Sequence, residues 1–269
     1  LKLYLFISFF PHVIQGPIER YNQLAPQLTA GHKLDFTKLK TGAILIAWGF
    51  FKKLVIADRI ATATGEIFSD FSSRSGIVVF IGTVLFSFQI YTDWTGYCDI
   101  VGGAAEMLGI EIMKNFDRPY FSQTMPEFWR RWHISMGTFF KDYVLYPVST
   151  SKFCLNLNKK SRKVFGNEAG RIISSSVPIM AVWFLTGFWH GANWTFIVWG
   201  LMYFILLLIE RFTNIHKRLG AFSHLYTLFF VMIGWVIFRS DSLGSAMMYI
   251  RSMFGFGCEG LVSAAFFQY

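Results

Sequence analysis

The sequence predicts an all-α membrane protein whose helices cross the bilayer several times. Of its 269 residues, 54% are hydrophobic and only 15% are charged, whereas about a quarter of the residues in a soluble domain are charged. Several apolar runs approach the roughly 20 residues that a helix needs to span a bilayer. Aromatic residues make up 19% of the chain and suit the two membrane–water interfaces. The composition therefore disfavours a hydrophobic soluble protein.

The charge and cysteine content exclude other classes. A formal net charge of +9 would suggest a nucleic-acid partner for a soluble protein. Here the basic residues lie between the apolar runs, where they orient the helices and contact anionic lipid headgroups. We therefore expect a lipid bilayer as partner, and no nucleic acid. Cys98, Cys154 and Cys258 are far apart in sequence, so they predict neither a disulfide framework nor a metal site.

The N-terminal part contains two apolar runs with interruptions. Residues 1–14 are predicted to be the end of a spanning helix, which Gly16-Pro17 stops, and a polar stretch follows over residues 19–40. Residues 41–60 are apolar except for Lys52-Lys53. Because a charge at the bilayer centre costs a few kcal/mol, the two lysines are expected at an interface.

Four uninterrupted spans are predicted further along the chain, at residues 76–91, 172–189, 194–209 and 222–238. Residues 93–109 are rich in glycine and carry Asp93 and Asp99, which predicts a buried or re-entrant element. The two aspartates are either buried ion-pair partners or helix caps, and a structural role is favoured. No inverted repeat and no second domain are visible, so residues 1–269 are treated as one helical membrane unit.

The segment 122–147 is rich in charged and aromatic residues and predicts an amphipathic helix. It begins with a capping box, in which the Thr124 hydroxyl accepts from the Glu127 amide and the Glu127 carboxylate reaches back. Glu127 and Arg131 are four residues apart with the acid first, which is the favourable order. On a helix, Trp129, Trp132 and His133 would share one face, so the histidine is expected against an aromatic wall.

His190 is the strongest catalytic candidate among the six histidines. It lies at Gly187-Phe188-Trp189-His190-Gly191, between two hydrophobic helices. The glycines let backbone or substrate approach closely, and an ionisable residue inside a membrane is a functional candidate. An apolar setting favours a neutral imidazole that can accept a proton. The alternative is an interfacial histidine bonded to a carbonyl group.

The combination of motifs resembles the membrane-bound O-acyltransferase (MBOAT) superfamily, and most closely its branch of alginate O-acetyltransferases and D-alanyl-lipoteichoic acid acyltransferases. The two central motifs are Trp129-Arg130-Arg131-Trp132-His133-Ile134-Ser135 and Trp189-His190-Gly191. Further motifs occur in the same order as in the family: Gly16-Pro17-Ile18-Glu19-Arg20-Tyr21, Lys52-Lys53-Leu54, Tyr91-Thr92-Asp93 with Gly96-Tyr97-Cys98-Asp99, Asn115-Phe116-Asp117-Arg118-Pro119-Tyr120 and Trp235-Val236-Ile237-Phe238-Arg239.

The resemblance implies a polytopic helical fold with re-entrant and amphipathic elements and a tunnel through the membrane. It implies His190 and His133 as catalytic residues, with supporting roles for Trp129, Arg130, Arg131, Trp132, Ser135, Trp189, Gly191, Asp93 and Asp99. Family members usually have more spans before the Gly-Pro motif, so a fragment of a longer protein is expected. Many relatives carry His-Gly or Asn-Gly soon after Trp199-Gly200, whereas this chain has Met202-Tyr203-Phe204.

The expected reaction is acyl transfer from a thioester to a hydroxyl. His190 would take the hydroxyl proton, a contribution worth about 10²–10⁴-fold in rate. The oxyanion needs a hydrogen-bond donor, for which four groups are open: His133, the indole of Trp129, the indole of Trp189 and an amide near Gly191. No serine or cysteine lies in an obvious nucleophile elbow, so direct transfer is favoured over an acyl-enzyme.

The donor is expected to be acyl-CoA or an acyl carrier protein, with no bound cofactor and no metal. Basic residues between positions 152 and 171 predict a cytoplasmic loop, and the other end of the hairpin, with Arg211, should lie on the same side. The loop serves topology and anionic lipid alone, or it also attracts the acidic donor through Lys159, Lys160, Arg162 and Lys163.

The expected protein is therefore a multi-pass protein of the bacterial cytoplasmic membrane. It would transfer an acyl group, acetyl in preference to D-alanyl, to a hydroxyl of an envelope or extracellular polysaccharide. The acyl group could also pass across the membrane to an extracytoplasmic acyltransferase. The resemblance of the Ala192-Asn193-Trp194 segment to polysaccharide O-acetylating members favours acetyl over D-alanyl transfer to teichoic acid. Two other classes stay open, a transporter or channel and a catalytically inactive scaffold.

Overall fold

A computed structural model describes residues 1–13 and 16–257 of the chain, and within them the fold is helical. Cys258 lies outside the described residues. Two π-helical segments, Phe51–Ala57 and Lys141–Leu145, continue the helices that precede them without a break. The α-helices are, in chain order, α1 (Lys2–Ile7), α2 (Phe10–Val13), α3 (Tyr21–Thr29), α4 (Phe36–Phe50), α5 (Asp58–Ser69), α6 (Gly76–Met107), α7 (Met125–Arg131), α8 (Ile134–Phe140), α9 (Tyr146–Ser149), α10 (Lys152–His190), α11 (Trp194–Thr213), α12 (Ile215–Leu219), α13 (Ser223–Arg239) and α14 (Leu243–Met253).

Four helical stretches within the described residues are long and apolar enough to cross a membrane. They are Gly76–Met107, Lys152–His190, Trp194–Thr213 and Ile215–Arg239. Each contains one of the four predicted spans, so that prediction is confirmed. The N-terminal prediction is wrong in detail, because residues 2–13 form two short helices separated at Ser8 and Phe9 rather than one continuous helix. Residue 14, the last of the predicted run, lies outside the described residues.

Helix α6 is one continuous helix of 32 residues, about 48 Å long at 1.5 Å per residue. The re-entrant alternative for residues 93–109 is therefore wrong, whereas the buried alternative holds in part, since Thr95, Gly96, Val101, Gly103 and Ala105 are buried. Its aspartates stay in the helix because lysines neutralise them: Lys52 pairs with Asp99 at 2.5 Å and Lys53 pairs with Asp93 at 2.8 Å. The two lysines lie in the π-helical segment that follows α4. The structural role favoured for Asp93 and Asp99 is thus the one observed.

Glycines bring α4 and α6 into backbone contact. A Cβ on Gly42 would lie 2.5 Å from the Gly103 carbonyl oxygen, and a Cβ on Gly49 would lie 2.6 Å from the Gly96 carbonyl oxygen. Each pair is seven residues from the next along both helices, as expected for antiparallel helices in tight contact. Small residues permit this close packing in membranes, where van der Waals contact replaces the hydrophobic effect as the main attraction between helices.

Helices α10 and α11 form the predicted antiparallel hairpin. Gly187 and Gly200 face the partner helix, where a Cβ would collide with the carbonyl oxygens of Phe196 and Trp183 respectively. Helix α10 itself bends at Gly166 (φ 79°, ψ 171°). The basic segment 152–171 is therefore helical on both sides of this bend, and the prediction of a loop there is wrong. The residues on each side of Gly166 are helical, and the bend occurs at Gly166 because glycine adopts a positive φ without steric cost.

The core between α7, α11 and α13 consists mainly of aromatic rings. Trp199 and Trp235 are 1% exposed, and Tyr203 is fully buried. Trp132 joins the cluster from the segment after α7, with its ring centroid 4.8 Å from that of Trp235. This aromatic core holds the amphipathic segment against the membrane hairpin and so positions the two candidate histidines.

Candidate active site

The amphipathic segment is anchored at its first turn. The Glu127 amide donates to Thr124 Oγ1 over 3.2 Å, and Glu127 Oε2 accepts from the Gln123 amide at 2.8 Å. The Thr124 half of the predicted capping box is therefore present. The Glu127 carboxylate also reaches back, but to the amide of Gln123, which is one residue before Thr124. Glu210 of α11 accepts from the Met125 amide at 3.0 Å, which ties the start of α7 to the membrane hairpin.

Helix α7 ends at Arg131, just before the histidine. Trp132 has an extended backbone, and His133 is left-handed with φ 49° and ψ 53°. The prediction that Trp129, Trp132 and His133 share one face of a continuous helix is therefore wrong. His133 still packs against aromatic rings, but from a break between two helices.

A segment distant in sequence causes this break. The Asp117 amide donates to the Arg131 carbonyl at 2.9 Å, and the Ile134 amide donates to the Asn115 carbonyl at 3.0 Å. These bonds take up backbone groups that would otherwise continue the helix. They also hold His133 in a backbone conformation that non-glycine residues seldom adopt, a kind of strain found where function requires it.

The His133 ring is enclosed and neutral. The residue is 3% exposed, and its ring centroid lies 4.3 Å from that of Trp94. Burial, and to a lesser degree the nearby His190, lowers the pKa of His133 to about 3. Nδ1 lies 3.1 Å from Asn115 Oδ1, whereas Nε2 is buried without a hydrogen-bond partner among the described residues.

Asn115 is a site residue that the sequence reasoning missed. It is 2% exposed, and its Oδ1 accepts from the Ser135 amide at 3.1 Å and from Ser135 Oγ at 2.9 Å, besides contacting His133. Ser135, predicted as a supporting residue, contacts Asn115 through these two hydrogen bonds. The motif containing Asn115 is visible in the sequence, but Asn115 and His133 are 18 positions apart, and no local spacing rule assigns a contact at that separation.

His190 is the last residue of α10 and is half-buried among aromatic rings. Its ring centroid lies 5.2 Å from that of Trp199 and 5.0 Å from that of Phe238. Gly191, with φ 147°, ends the helix. The prediction that His190 lies at the bend of the hairpin is confirmed by this placement.

The structure brings the two histidines together beside one tryptophan. The Trp189 ring centroid is 4.9 Å from that of His190 and 6.0 Å from that of His133. Trp189 is 54% exposed, so this side of the pair faces outwards from the described core. The two imidazoles and the exposed Trp189 ring therefore form one cluster, in which a neutral imidazole can accept a proton.

The candidate oxyanion donors are not equivalent. The Gly191 amide already donates to the Phe188 carbonyl at 3.2 Å, so it is not free. The indole nitrogen of Trp129 is buried without a partner among the described residues, and its ring packs 4.8 Å from that of Trp183. The indole nitrogens of Trp94, beside His133, and of Trp199, beside His190, are also unpartnered in the described part of the chain, so the lack of a partner does not single out Trp129.

The remaining supporting residues have separate positions. Arg131 pairs with Glu127 at 2.7 Å, and Trp132 belongs to the aromatic core. Arg130 is exposed and lines a large cavity. The first two therefore shape the fold around His133, whereas Arg130 faces a space that a ligand can occupy.

This cavity, of about 910 Å³, lies beside α10, and of the described residues its lining includes Trp183 but neither His133 nor His190. Arg171 and Trp183, both on its lining, are twelve residues apart on α10, which corresponds to about 18 Å. At the inner end, the Trp183 ring packs against those of Trp129 and Trp199, and Trp199 contacts His190. Arg211, near the end of α11, also lines the cavity. The start of the long arm of α10, at Arg171, and the end of α11 are therefore on the same side, as predicted.

The basic residues proposed for donor docking lie on the hairpin of helical arms around Gly166. All four are exposed: Lys159, Lys160, Arg162 and Lys163. Exposed apolar side chains, among them Val164 (72%) and Phe165 (59%), share the same turn. Cys154 is buried in the first arm (4%) and is thus unsuited as a labelling site for sidedness.

The chain matches the family model described as MBOAT, membrane-bound O-acyltransferase family, over residues 1–166. It is 35% identical over 256 residues to the probable alginate O-acetylase AlgI of Azotobacter vinelandii, covering 94% of this chain and 47% of that protein. It is 34% identical over 259 residues to the peptidoglycan O-acetyltransferase of Helicobacter pylori, covering 93% of this chain and 46% of that protein.

A more distant relative is the teichoic acid D-alanyltransferase of Bacillus subtilis, 28% identical over 249 residues, with 88% of this chain and 60% of that protein covered. The chain thus spans about half the length of the curated relatives that it matches at higher identity.

Proposed function

Because this chain belongs to the membrane-bound O-acyltransferase family and is an integral membrane protein, we propose that it is the catalytic part of an O-acyltransferase. The reaction moves an acetyl group from a thioester to a hydroxyl of an envelope or extracellular polysaccharide. The observation that carries the proposal is the placement of His190 and His133 beside Trp189, at the break between two membrane helices.

The proposed reaction is a direct transfer with His190 as base. The hydroxyl proton passes to His190 while the hydroxyl oxygen forms a bond to the thioester carbonyl carbon. The resulting oxyanion accepts a hydrogen bond, for which the unpartnered indoles of Trp94, Trp129 and Trp199 are our candidates. When the intermediate collapses, the C–S bond breaks, and the thiolate takes the proton from His190. The products are an ester and a free thiol, and His190 is neutral again.

The cavity beside α10 supports a thioester donor with a phosphate-bearing end. Three acidic groups line it, but Glu127 and Glu168 pair with arginines and Glu210 accepts from a backbone amide. Arg130 and Lys141 line it without a carboxylate partner in the described structure. This excess of positive charge fits the phosphates of acyl-CoA or of an acyl carrier protein, whose acyl arm would extend along the cavity towards Trp183.

The positive-inside tendency assigns the basic hairpin around Gly166 to the cytoplasm, and we propose the bacterial cytoplasmic membrane as the location. His190 lies at the opposite end of the long arm of α10 from Arg171. The donor would then arrive from the cytoplasm. The acceptor, either a polysaccharide or an extracytoplasmic acyltransferase that passes the group on, would arrive from the other side.

Acetyl is the acyl group that we favour. The relatives of higher identity carry the names alginate O-acetylase and peptidoglycan O-acetyltransferase, whereas the teichoic acid D-alanyltransferase is less similar. D-alanyl transfer is the second candidate, supported by that relative alone.

The test is acyl transfer by the complete protein in membranes, with His190→Ala and His133→Ala compared at equal abundance. His190→Ala should lose about 10²-fold or more of its turnover, as expected for removal of a general base, and His133→Ala should also lose activity. His32→Ala is the matched control, because His32 is exposed and its ring hydrogen-bonds to the Gln27 carbonyl, far from His190 in sequence. Turnover of His190→Ala equal to that of the control would refute the mechanism, and transport without transfer would favour a transporter.

A further inference from the structure

We infer that Asn115 is a positioning residue that holds His133 with its hydrogen on Nδ1, so that the bare Nε2 accepts a hydroxyl hydrogen of the acceptor substrate. The inference rests on the proposed function and deepens it, since it assigns His133, besides the base His190, to the acceptor substrate. It also decides between the roles that the sequence left open for His133.

The hydrogen bonds of Asn115 identify which of its side-chain atoms faces the His133 ring. The Ser135 backbone amide points at this atom over 3.1 Å, and an amide N–H can only donate. The atom is therefore the carbonyl oxygen of Asn115, not its NH₂ group. The Ser135 hydroxyl, 2.9 Å away, donates to the same oxygen.

The identity of this atom fixes the tautomer of His133. An amide oxygen has no hydrogen to give, so the His133 Nδ1 that lies 3.1 Å from it must carry the hydrogen. The ring is 3% exposed and packed beside Trp94, a setting in which a neutral ring with one hydrogen is favoured. Nε2 is then a lone pair, and no group of the described residues donates to it.

The lone pair on His133 Nε2 is open to a hydrogen bond from a group that a substrate brings. The acetyl thioester group itself offers only acceptor atoms to the reacting centre, whereas the acceptor substrate brings hydroxyl hydrogens. Nε2 of His133 therefore suits the hydroxyl substrate and cannot act as the oxyanion donor while the ring is neutral. The left-handed backbone of His133, held by the Ile134 amide bond to the Asn115 carbonyl, fixes the direction of the ring. One residue thus sets both the position and the tautomer of His133.

The test combines nitrogen NMR with kinetics on the complete protein. In protein labelled with ¹⁵N-histidine, the His133 signals are assigned by their loss in His133→Gln, and the protonated ring nitrogen is then identified. Nδ1–H is expected in the wild type, in Asn115→Asp, which keeps an oxygen acceptor, and in the control Ser135→Ala, which keeps the Ser135 amide bond. Asn115→Leu should lose this preference.

The kinetic readout separates the two substrates. Asn115→Leu should raise the KM for acceptor or lower kcat/KM for acceptor by about tenfold, the value of one hydrogen bond, with the KM for donor unchanged. Asn115→Asp should restore most of the loss. A wild-type signal with the hydrogen on Nε2, an unchanged acceptor constant in Asn115→Leu, or equal losses for both substrates would each overturn the inference. The NMR result does not depend on acyl transfer, so a failure of the proposed function would appear as an inactive wild type with the Nδ1–H tautomer intact.

Discussion

Replacing Gly187 by alanine tests whether the spacing of the α10–α11 hairpin sets the position of His190. Gly187 lies one helical turn before His190 on the same helix. A Cβ added there would collide with the Phe196 carbonyl oxygen and lie 3.1 Å from Ile197 Cα. Both are backbone atoms of α11, so they cannot rotate away as a flexible side chain would.

The magnitude follows from the required separation. Contact between heavy atoms is optimal at about 3.5–4.0 Å, so the two helices must move apart by about 1 Å at this turn. Overpacking of this kind costs about 1–3 kcal/mol of stability. A displacement of about 1 Å at a reacting group reduces the rate about 10²-fold. We therefore expect the turnover of Gly187→Ala to fall about 10²-fold while part of the protein still folds. Gly200→Ala, the reciprocal substitution, should act in the same direction.

The assay is acyl transfer per folded molecule, with folded protein quantified by size-exclusion chromatography in detergent. The matched control is Gly102→Ala in the spanning helix α6, where the nearest atom to the added Cβ is a Leu45 methyl group 3.7 Å away. Because alanine is also favoured over glycine within a helix, the control should keep full activity. If Gly187→Ala turned over as fast as Gly102→Ala, hairpin spacing would not govern the site.

Three other predictions follow from buried groups and from charge. The pKa of His133 is lowered to about 3, so the unfolded protein, with a pKa near 6.5, binds more protons; stability should fall as the pH drops below about 6.5, by roughly 2 kcal/mol at pH 5. Thermal unfolding in detergent at pH 7 and at pH 5 should show that this loss of stability at low pH is absent in His133→Gln. An equal pH dependence in the wild type and the variant would contradict the prediction. Lys52→Met should destabilise the protein by about 2–3 kcal/mol, since it leaves the mostly buried Asp99 unpaired, and Lys52→Met with Asp99→Leu should recover part of the loss; an additive double variant would show that the pair is uncoupled. When glutamine replaces three exposed lysines, Lys159, Lys160 and Lys163, the KM for donor should rise at low ionic strength and return to the wild-type value at high salt. Unchanged donor kinetics would limit these residues to a role in topology.

Much of the fold was predictable because its causes are local. The four spans follow from apolar runs of sufficient length, and a chain within a membrane must satisfy its own backbone groups, which leaves the helix as the open solution. The capping box at Thr124 and Glu127 depends on residues three positions apart. The break at His190 depends on Gly191, which directly follows it. The order of motifs indicated the family before any geometry was known.

The errors share a different cause. Asp93 and Asp99 resemble the marks of a re-entrant element because their partners, Lys53 and Lys52, lie 40 and 47 residues earlier in the chain. Once those ion pairs form, the aspartates can remain in a continuous helix. The basic segment 152–171 is helical on both sides of Gly166, whereas its charge predicts a loop, because charge alone does not distinguish a loop from an exposed helix.

The sequence by itself therefore determined the class, the spans and the place of His190 at the hairpin bend, since each depends on hydropathy or spacing within about 20 residues. Only the tertiary structure decided what His133 can do. The tautomer of the His133 ring and the left-handed backbone of His133 both depend on Asn115. Asn115 is 18 positions earlier in the sequence, and the fold places it beside His133. Hydrogen bonds between such distant groups depend on how the whole chain packs. A linear pattern therefore indicates which residues are present but not which lone pair is left open.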